Sequence, residues 1–370
     1  MSHNNAPAHK AATPSQIGPA MPEFAPVRLP HYDGQGPHSL LADVAAWTGS
    51  EPMHRLLALF GGRLPGTGTA EDLAYLEAFS AAHWDFRAGR ERHETAPQPL
   101  APEHEYTATQ AALALGLGAA ARPRLAHYTH VLVLGGLVAS CLFRTRFAAE
   151  LLASGVGADN VTGVGGFRPL GTTDLESAVL SGIDCGGFEV DAIEASLKHA
   201  FNIGGDPLID EGGDPLLDPG RAWKVATYMA GPVVVRAVAA PSSQPGRRRA
   251  DTVDTCRFWA DRVVELAPGD SVLVVTSAPY TAFQHCDAIT HMGLPYGCTV
   301  DTVGVDPATL PEPHFRKSHT ASGYLQEVRS AIRSMRQLYH SAHAAVQAPI
   351  RPVESAAGRR LTPRRTQRPH

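Results

Sequence analysis

The chain has 370 residues, of which 44% are hydrophobic, 18% charged and 7% aromatic, with a formal net charge of −4. This is globular composition, long enough for one large α/β domain with an appendage or for two domains, and it excludes collagenous, coiled-coil and wholly disordered chains. The 35 glycines and 30 prolines predict many turns and unstructured ends.

The longest apolar stretch, Val131 to Phe143, is broken by Gly135, Gly136 and Ser140 and followed by Arg144 and Arg146, so no transmembrane helix is expected. Met1 to Pro30 lacks the basic start and apolar core of a secretory signal, which leads to the expectation of a cytoplasmic protein without membrane association. Cys141, Cys185, Cys256, Cys286 and Cys298 are scattered without a CxxC pair, so reduced thiols are expected and no disulfide framework or standard zinc site is suggested. The last twenty residues hold six arginines against Glu354, a local charge of +5 in a chain whose net is −4, so residues 1 to 350 carry −9. An acidic body argues against nucleic acid as the main ligand.

In chain order, residues 1–37 read as a disordered leader and 38–127 as a helical segment: Leu40, Leu41, Val44 and Trp47, then Leu56, Leu57 and Leu59, then Leu73, Leu76 and Phe79 recur at helical spacing. From residue 128 to 340 the texture is strand, turn, helix. Val131 to Leu134 is an unbroken apolar run ending at Gly135 and Gly136, and a helix follows through Phe147 and Leu151. Asn160 to Val164 leads to Gly165 and Gly166, and a later helix carries Val190, Ile193, Leu197 and Phe201. Further strands are predicted at Pro232 to Val238, Ser271 to Val275 and Thr299 to Val305, with helices around Val253 to Val263, Tyr280 to His291 and Tyr324 to Tyr339. Apolar strands alternating with amphipathic helices predict an α/β fold, a Rossmann-like, doubly wound parallel sheet with a helical N-terminal appendage. Residues 341–370 read as a basic disordered tail.

In such a sheet, ligands sit beyond the carboxyl ends of the strands. The residues there are Gly135 and Gly136, Gly165, Gly166 and Arg168, Ser242 and Ser243, and Thr276 and Ser277, with Arg144, Arg146 and Thr252 on the helices that follow. Glycine turns, small hydroxyls and arginines make an anion site; as structural features they equally permit tight turns and cap helices. A P-loop, a dinucleotide fingerprint and a G-x-S-x-G elbow are absent, and Cys141 to Arg146 spans C-x4-R instead of a phosphatase loop, so Cys141 is read as core. No cofactor is indicated. His285, Cys286, His291 and Cys298 lack metal-ligand spacing, while His285 sits on a helix that begins at the ligand edge, where an imidazole can act as acid or base.

The element order and several motifs resemble the YdcF/SanA/ElyC family, a Rossmann-like group of poorly defined chemistry, over residues 128–340. The resemblance rests on Val131 to Gly136, with Arg144 or Arg146 opening the next helix, on Gly165-Gly166, on Glu189 at the start of a helix, on Asp251-Thr252-Val253-Asp254-Thr255 in place of N-T-x-E-N, and on Val274 to Ala278. It implies the soluble branch of that family, with Glu189 and Asp254 as its acidic residues. The chain departs from the pattern at Asp251, Asp254 and Thr255, and in the added Arg247, Arg248 and Arg249.

These readings lead to the expectation of an enzyme acting on a small anionic metabolite, phosphorylated or nucleotide-like, by hydrolysis or group transfer, with Glu189, Asp254 and His285 as acid/base candidates. Two other classes remain open: an S-adenosylmethionine- or nucleotide-binding regulatory module, and an interaction protein working through its N-terminal helices and tail. The oligomeric state is not specified by the sequence.

Overall fold

A computed structural model of the chain describes residues 23–86, 99–118 and 122–347. Residues 23–37 run over the body as a largely extended segment, and residues 1–22 of the expected leader lie outside the described residues. Phe24 is buried, and the short strand β1 (Tyr32–Asp33) pairs antiparallel with the far edge of the sheet at Thr299 and Val300. Residues 23–37 are therefore packed, where a disordered leader was expected, because Phe24 and Tyr32 supply apolar anchors within a polar, proline-rich stretch. Helices α1 (His38–Thr48), α2 (Glu51–Leu59), α3 (Thr69–His83) and α4 (Pro102–Ala112) follow. Their apolar positions, Leu40, Val44, Trp47, Leu56, Leu73 and Leu76, are all buried, as the helical spacing requires.

The α/β part is built from β2 (His127–Leu134), α5 (Val138–Ala153), β3 (Gly157–Gly165), α6 (Thr172–Leu180), α7 (Glu189–Ala200), β4 (Leu208–Gly212), β5 (Trp223–Ala230), β6 (Val233–Ala239), α8 (Thr252–Phe258), β7 (Ser271–Ser277), α9 (Thr281–Ala288), the single turn α10 (Leu294–Tyr296), β8 (Thr299–Val305) and α11 (Ala321–Gln347). The strands form one eight-stranded sheet in the order β1-β8-β7-β2-β3-β6-β5-β4. The pairs β8/β7, β7/β2, β2/β3 and β3/β6 are parallel, and β5, β4 and β1 join antiparallel at the edges. This is a Rossmann-like α/β fold: strand order reverses between β2 and β7, the place where such sheets open a crevice.

One face carries α5 and α7, with Ile193 and Leu197 of α7 packed in one core with Val131, Val133 and Val161 of the sheet. The other carries α8, α9 and α11, and its apolar core continues without a break into the N-terminal helices. The join is α11, whose Leu325, Val328, Ile332, Met335 and Leu338 are buried and which packs on α1, α3, α4 and α9. Each such side chain taken out of water contributes about 1.5–3 kcal/mol, so this single helix couples the two parts energetically. It runs to Gln347, past the boundary at residue 340 expected for the tail; residues 348–370 lie outside the described residues. Among the described residues no helix is long and apolar enough to cross a membrane.

Candidate functional site

A cleft of about 600 Å³ opens beyond the carboxyl ends of β2 and β3. Its floor is Leu134, Gly135 and the Val164 to Phe167 turn, one wall carries Arg168 and Glu189, and the opposite wall is the loop Arg248 to Thr252. The backbone requires glycine at the floor. A Cβ at Gly135 would stand 2.4 Å from Val164 O and 2.8 Å from Glu189 Oε1, so Gly135 is small because the next strand and the Glu189 carboxyl both close on it.

Glu189 opens α7. Its Oε2 lies 3.4 Å from Arg168 Nε, and its side chain keeps 18% of its surface accessible. Burial pushes its pKa up, and the positive charges of Arg168, Arg144 and Arg249 only partly oppose the shift. Arg168 is held at three points: Nε by Glu189, Nη1 at 3.6 Å from Asp174 Oδ2, and Nη2 donating to Gly136 O at 3.1 Å. Across the cleft Arg248 Nη1 reaches Asp254 Oδ2 at 2.5 Å and Asp251 Oδ2 at 3.1 Å, while exposed Arg249 makes no ion pair among the described residues.

The helix N-termini around the cleft are occupied by the protein's own groups. Val138 N–H at the start of α5 donates to Asp174 Oδ1 at 3.0 Å, in the position where a phosphate sits in dinucleotide folds. The N–H groups of Glu189 and Val190 donate to Arg168 O and Gly166 O. At α8, Asp251 and Asp254 cap each other reciprocally, with Asp254 N–H to Asp251 Oδ1 at 3.0 Å and Asp251 N–H to Asp254 Oδ2 at 3.2 Å. The positive groups that line the cleft are therefore the guanidinium groups of Arg168, Arg248 and Arg249, and not a bare helix terminus.

The cleft gathers Gly135, Gly165, Gly166, Arg168, Glu189 and Thr252 from the expected residues, with Gly136 just behind Arg168. Others lie elsewhere. Arg144 is buried beneath the floor, where Nη1 donates to Leu134 O at 2.8 Å and Gly135 O at 2.5 Å while Nε and Nη2 donate to Ser277 Oγ at 3.0 and 2.8 Å. Arg144 and Ser277 are thus a clamp between β2 and β7. Arg146, two residues on, points away from Arg144, since residues two apart on a helix do not share a face; it forms a bidentate pair with Glu312 at 2.5 and 3.1 Å. Ser242 serves its own turn by accepting from Gln244 N–H at 3.0 Å, and Ser243 accepts from Arg248 Nη2 at 3.0 Å. Thr276 is buried and bonded to Gln284.

Two of the three acid/base candidates do not reach the cleft lining. Burial alone would raise the pKa of Asp254, but hydrogen bonds from Arg248 and Ser243 and from the cap backbone outweigh it and hold the carboxyl below the usual range, so Asp254 is an ionised cap. His285 is fully buried under the N-terminal segment: Nε2–H donates to Pro30 O at 2.7 Å, and Nδ1 accepts from Thr302 Oγ1 at 2.9 Å. Burial lowers its pKa to about 4. Its neighbour Gln284, one step around α9, faces the cleft instead. Gln284, Arg248 and Arg249 were missed as lining residues. The cluster Arg247-Arg248-Arg249 is visible in sequence, but nothing local says that the loop after β6 folds back over β3. Cys141 is core as expected, its thiol pushed up to about 12 by burial, and its S–H donates to Gly136 O at 3.7 Å. Among the described residues no cluster of three or more His, Cys, Asp or Glu side chains is placed to hold a metal ion.

The fold and cleft define a Rossmann-like α/β protein with a helical N-terminal part and an arginine-flanked cleft at the sheet's ligand edge. Residues 31–116 match the family described as the Rv3785 N-terminal domain. The uncharacterized protein Rv3785 of Mycobacterium tuberculosis is 31% identical over 327 residues, covering 80% of this chain and 88% of the relative, and the uncharacterized protein Mb3814 of Mycobacterium bovis matches to the same extent. The chain belongs to the Rv3785 family. That finding overturns the resemblance to the YdcF/SanA/ElyC family: its short motifs, a glycine-ended strand, an acidic helix start and a Thr-Ser after a strand, are what any parallel sheet of this kind produces at its strand ends. No solved structure matches the chain.

Proposed function

We propose that this protein is an α/β enzyme that binds a small anionic metabolite, phosphorylated or nucleotide-like, in the cleft beyond β2 and β3 and carries out a hydrolytic or group-transfer step on it. The observation that supports this reading best is Glu189: a partly accessible carboxyl with a raised proton affinity, facing a cleft that also carries Arg168 and Arg249. Arg249, with no ion pair of its own among the described residues, supplies the attraction for the anion. Arg168 fixes Glu189 and adds a second positive charge. Glu189, whose proton affinity burial raises, gives or takes the proton of the reacting group.

The test is a thermal-shift screen against phosphorylated metabolites, nucleotides and S-adenosylmethionine, followed by a search for product with each stabilising compound. Stabilisation with turnover is the expected result. Stabilisation without turnover overturns the catalytic part and is what an S-adenosylmethionine- or nucleotide-binding regulatory module gives. No stabilisation by any of them overturns the cleft as a ligand site and returns the question to an interaction role.

A further inference from the structure

The cleft does not end at Thr252 and Gln284. A second, narrower space of about 40 Å³ begins at the same residues and runs between α8 and α9. Leu134, Thr252 and Gln284 belong to both spaces, so the polar cleft and the slot share a doorway. Inside it most of the wall is apolar: Val253 and Cys256 on one side face Phe283 and Met292 on the other, over Val274 of β7, with Asp287 and His291 as its polar residues. Cys256 and Met292 are buried. Taking one water position as about 10–15 Å³, the slot admits roughly three waters.

We infer that the anionic ligand carries a short apolar group next to its charge, and that this group enters the slot between α8 and α9 while the anion lies against Arg249 and Arg168. The inference rests on the anion-binding reading of the cleft and adds the chemical class of the ligand: a small amphiphilic anion with roughly two to four carbons of apolar substituent, a size set by the slot volume. A bare phosphate fills only the cleft, whereas an apolar substituent also covers Val253, Phe283 and Met292 on the slot walls and removes that surface from water.

The experiment is calorimetric titration of the full chain with n-alkyl phosphates from methyl to hexyl. Affinity is expected to rise about fourfold per methylene through roughly the propyl compound and then level off, because each buried CH₂ carries that factor and the slot is short. Val253→Phe, which fills the slot from its half-buried edge, is expected to abolish the rise. Val253→Ala is expected to move the plateau to a longer chain, and keeps the test intact should the larger residue impair folding. Equal affinity for methyl and butyl phosphate in the parent would overturn the slot and leave the cleft standing. No binding of any member, methyl phosphate included, would overturn the cleft reading itself.

Discussion

Arg168 places its Nε 3.4 Å from Glu189 Oε2 and donates from Nη2 to Gly136 O at 3.1 Å, so one guanidinium ties the carboxyl of α7 to the turn after β2. Removing it does two separable things. Arg168→Ala is expected to weaken anion binding by about 1.5–3 kcal/mol, the worth of a charge-assisted hydrogen bond, and to raise the proton affinity of Glu189 further by taking away its nearest positive charge. Calorimetry with pyrophosphate at several pH values reads both. Arg146→Ala is the control: its partner is Glu312, outside the cleft, so its affinity should match the parent's.

Glu189 also leaves a mark on stability. Burial raises its pKa in the folded protein above that of the unfolded chain, about 4.3. Between those two values the folded state binds more protons than the unfolded one, so stability falls as pH rises through the window. The contribution is fully present below the unfolded pKa and gone above the folded one. Glu189→Gln has no such titration. Its melting temperature minus the parent's should therefore grow from acid toward neutral pH, and parallel melting curves for the two proteins would show that the carboxyl is not desolvated.

His285 predicts the opposite slope. Its pKa falls from 6.5 to about 4 on folding, so between these values the unfolded chain takes up the proton and the folded one does not, and stability drops as pH falls. The full effect is on the order of 3 kcal/mol, reached below pH 4. Urea melts at pH 7 and pH 4.5 should show the loss in the parent. His285→Gln should start less stable at pH 7 and lose less on acidification; an equal loss in both would place the acid sensitivity elsewhere.

Much of the fold was legible because buried parallel strands leave a plain trace. Val131 to Leu134 could hardly be exposed, and Gly135-Gly136 could hardly be anything but its turn. The helical appendage was equally plain from Leu40, Val44 and Trp47. The edge pair β4 and β5 is hard to read: Leu208, Ile209 and Met229 are exposed, and only Ala226 and Tyr228 of β5 turn fully inward. In the site, position along the chain was legible but rotation was not. Arg144 and Arg146 are two residues apart, yet one is a buried clamp and the other a surface ion pair; Gln284 and His285 are adjacent, yet only Gln284 reaches the cleft. A step of one residue turns a helix side chain by about 100°, which no local motif reports. The reach of Arg248 and Arg249 across to β3 depends on a loop fold that the sequence states only as charge.

Arg144 is a structural prediction beside the chemical ones. Its guanidinium satisfies Leu134 O, Gly135 O and Ser277 Oγ at once, all near the reversal point of the sheet. Arg144→Met keeps the length and removes the donors, leaving buried acceptors unpaired, at a cost of about 2–4 kcal/mol. Denaturant unfolding should show that loss, and because the Gly135 turn is the cleft floor, anion binding should weaken with it. A variant as stable as the parent would mean that the clamp is dispensable.

The most direct measurement of the central claim compares Glu189→Gln with the parent on the metabolite that stabilises the parent most, recording affinity and turnover in the same preparation. A general acid/base at Glu189 predicts affinity within about threefold of the parent and turnover lower by roughly a hundredfold or more. Turnover within threefold of the parent, with folding and affinity unchanged, would contradict the assignment of Glu189 as the group that moves the proton.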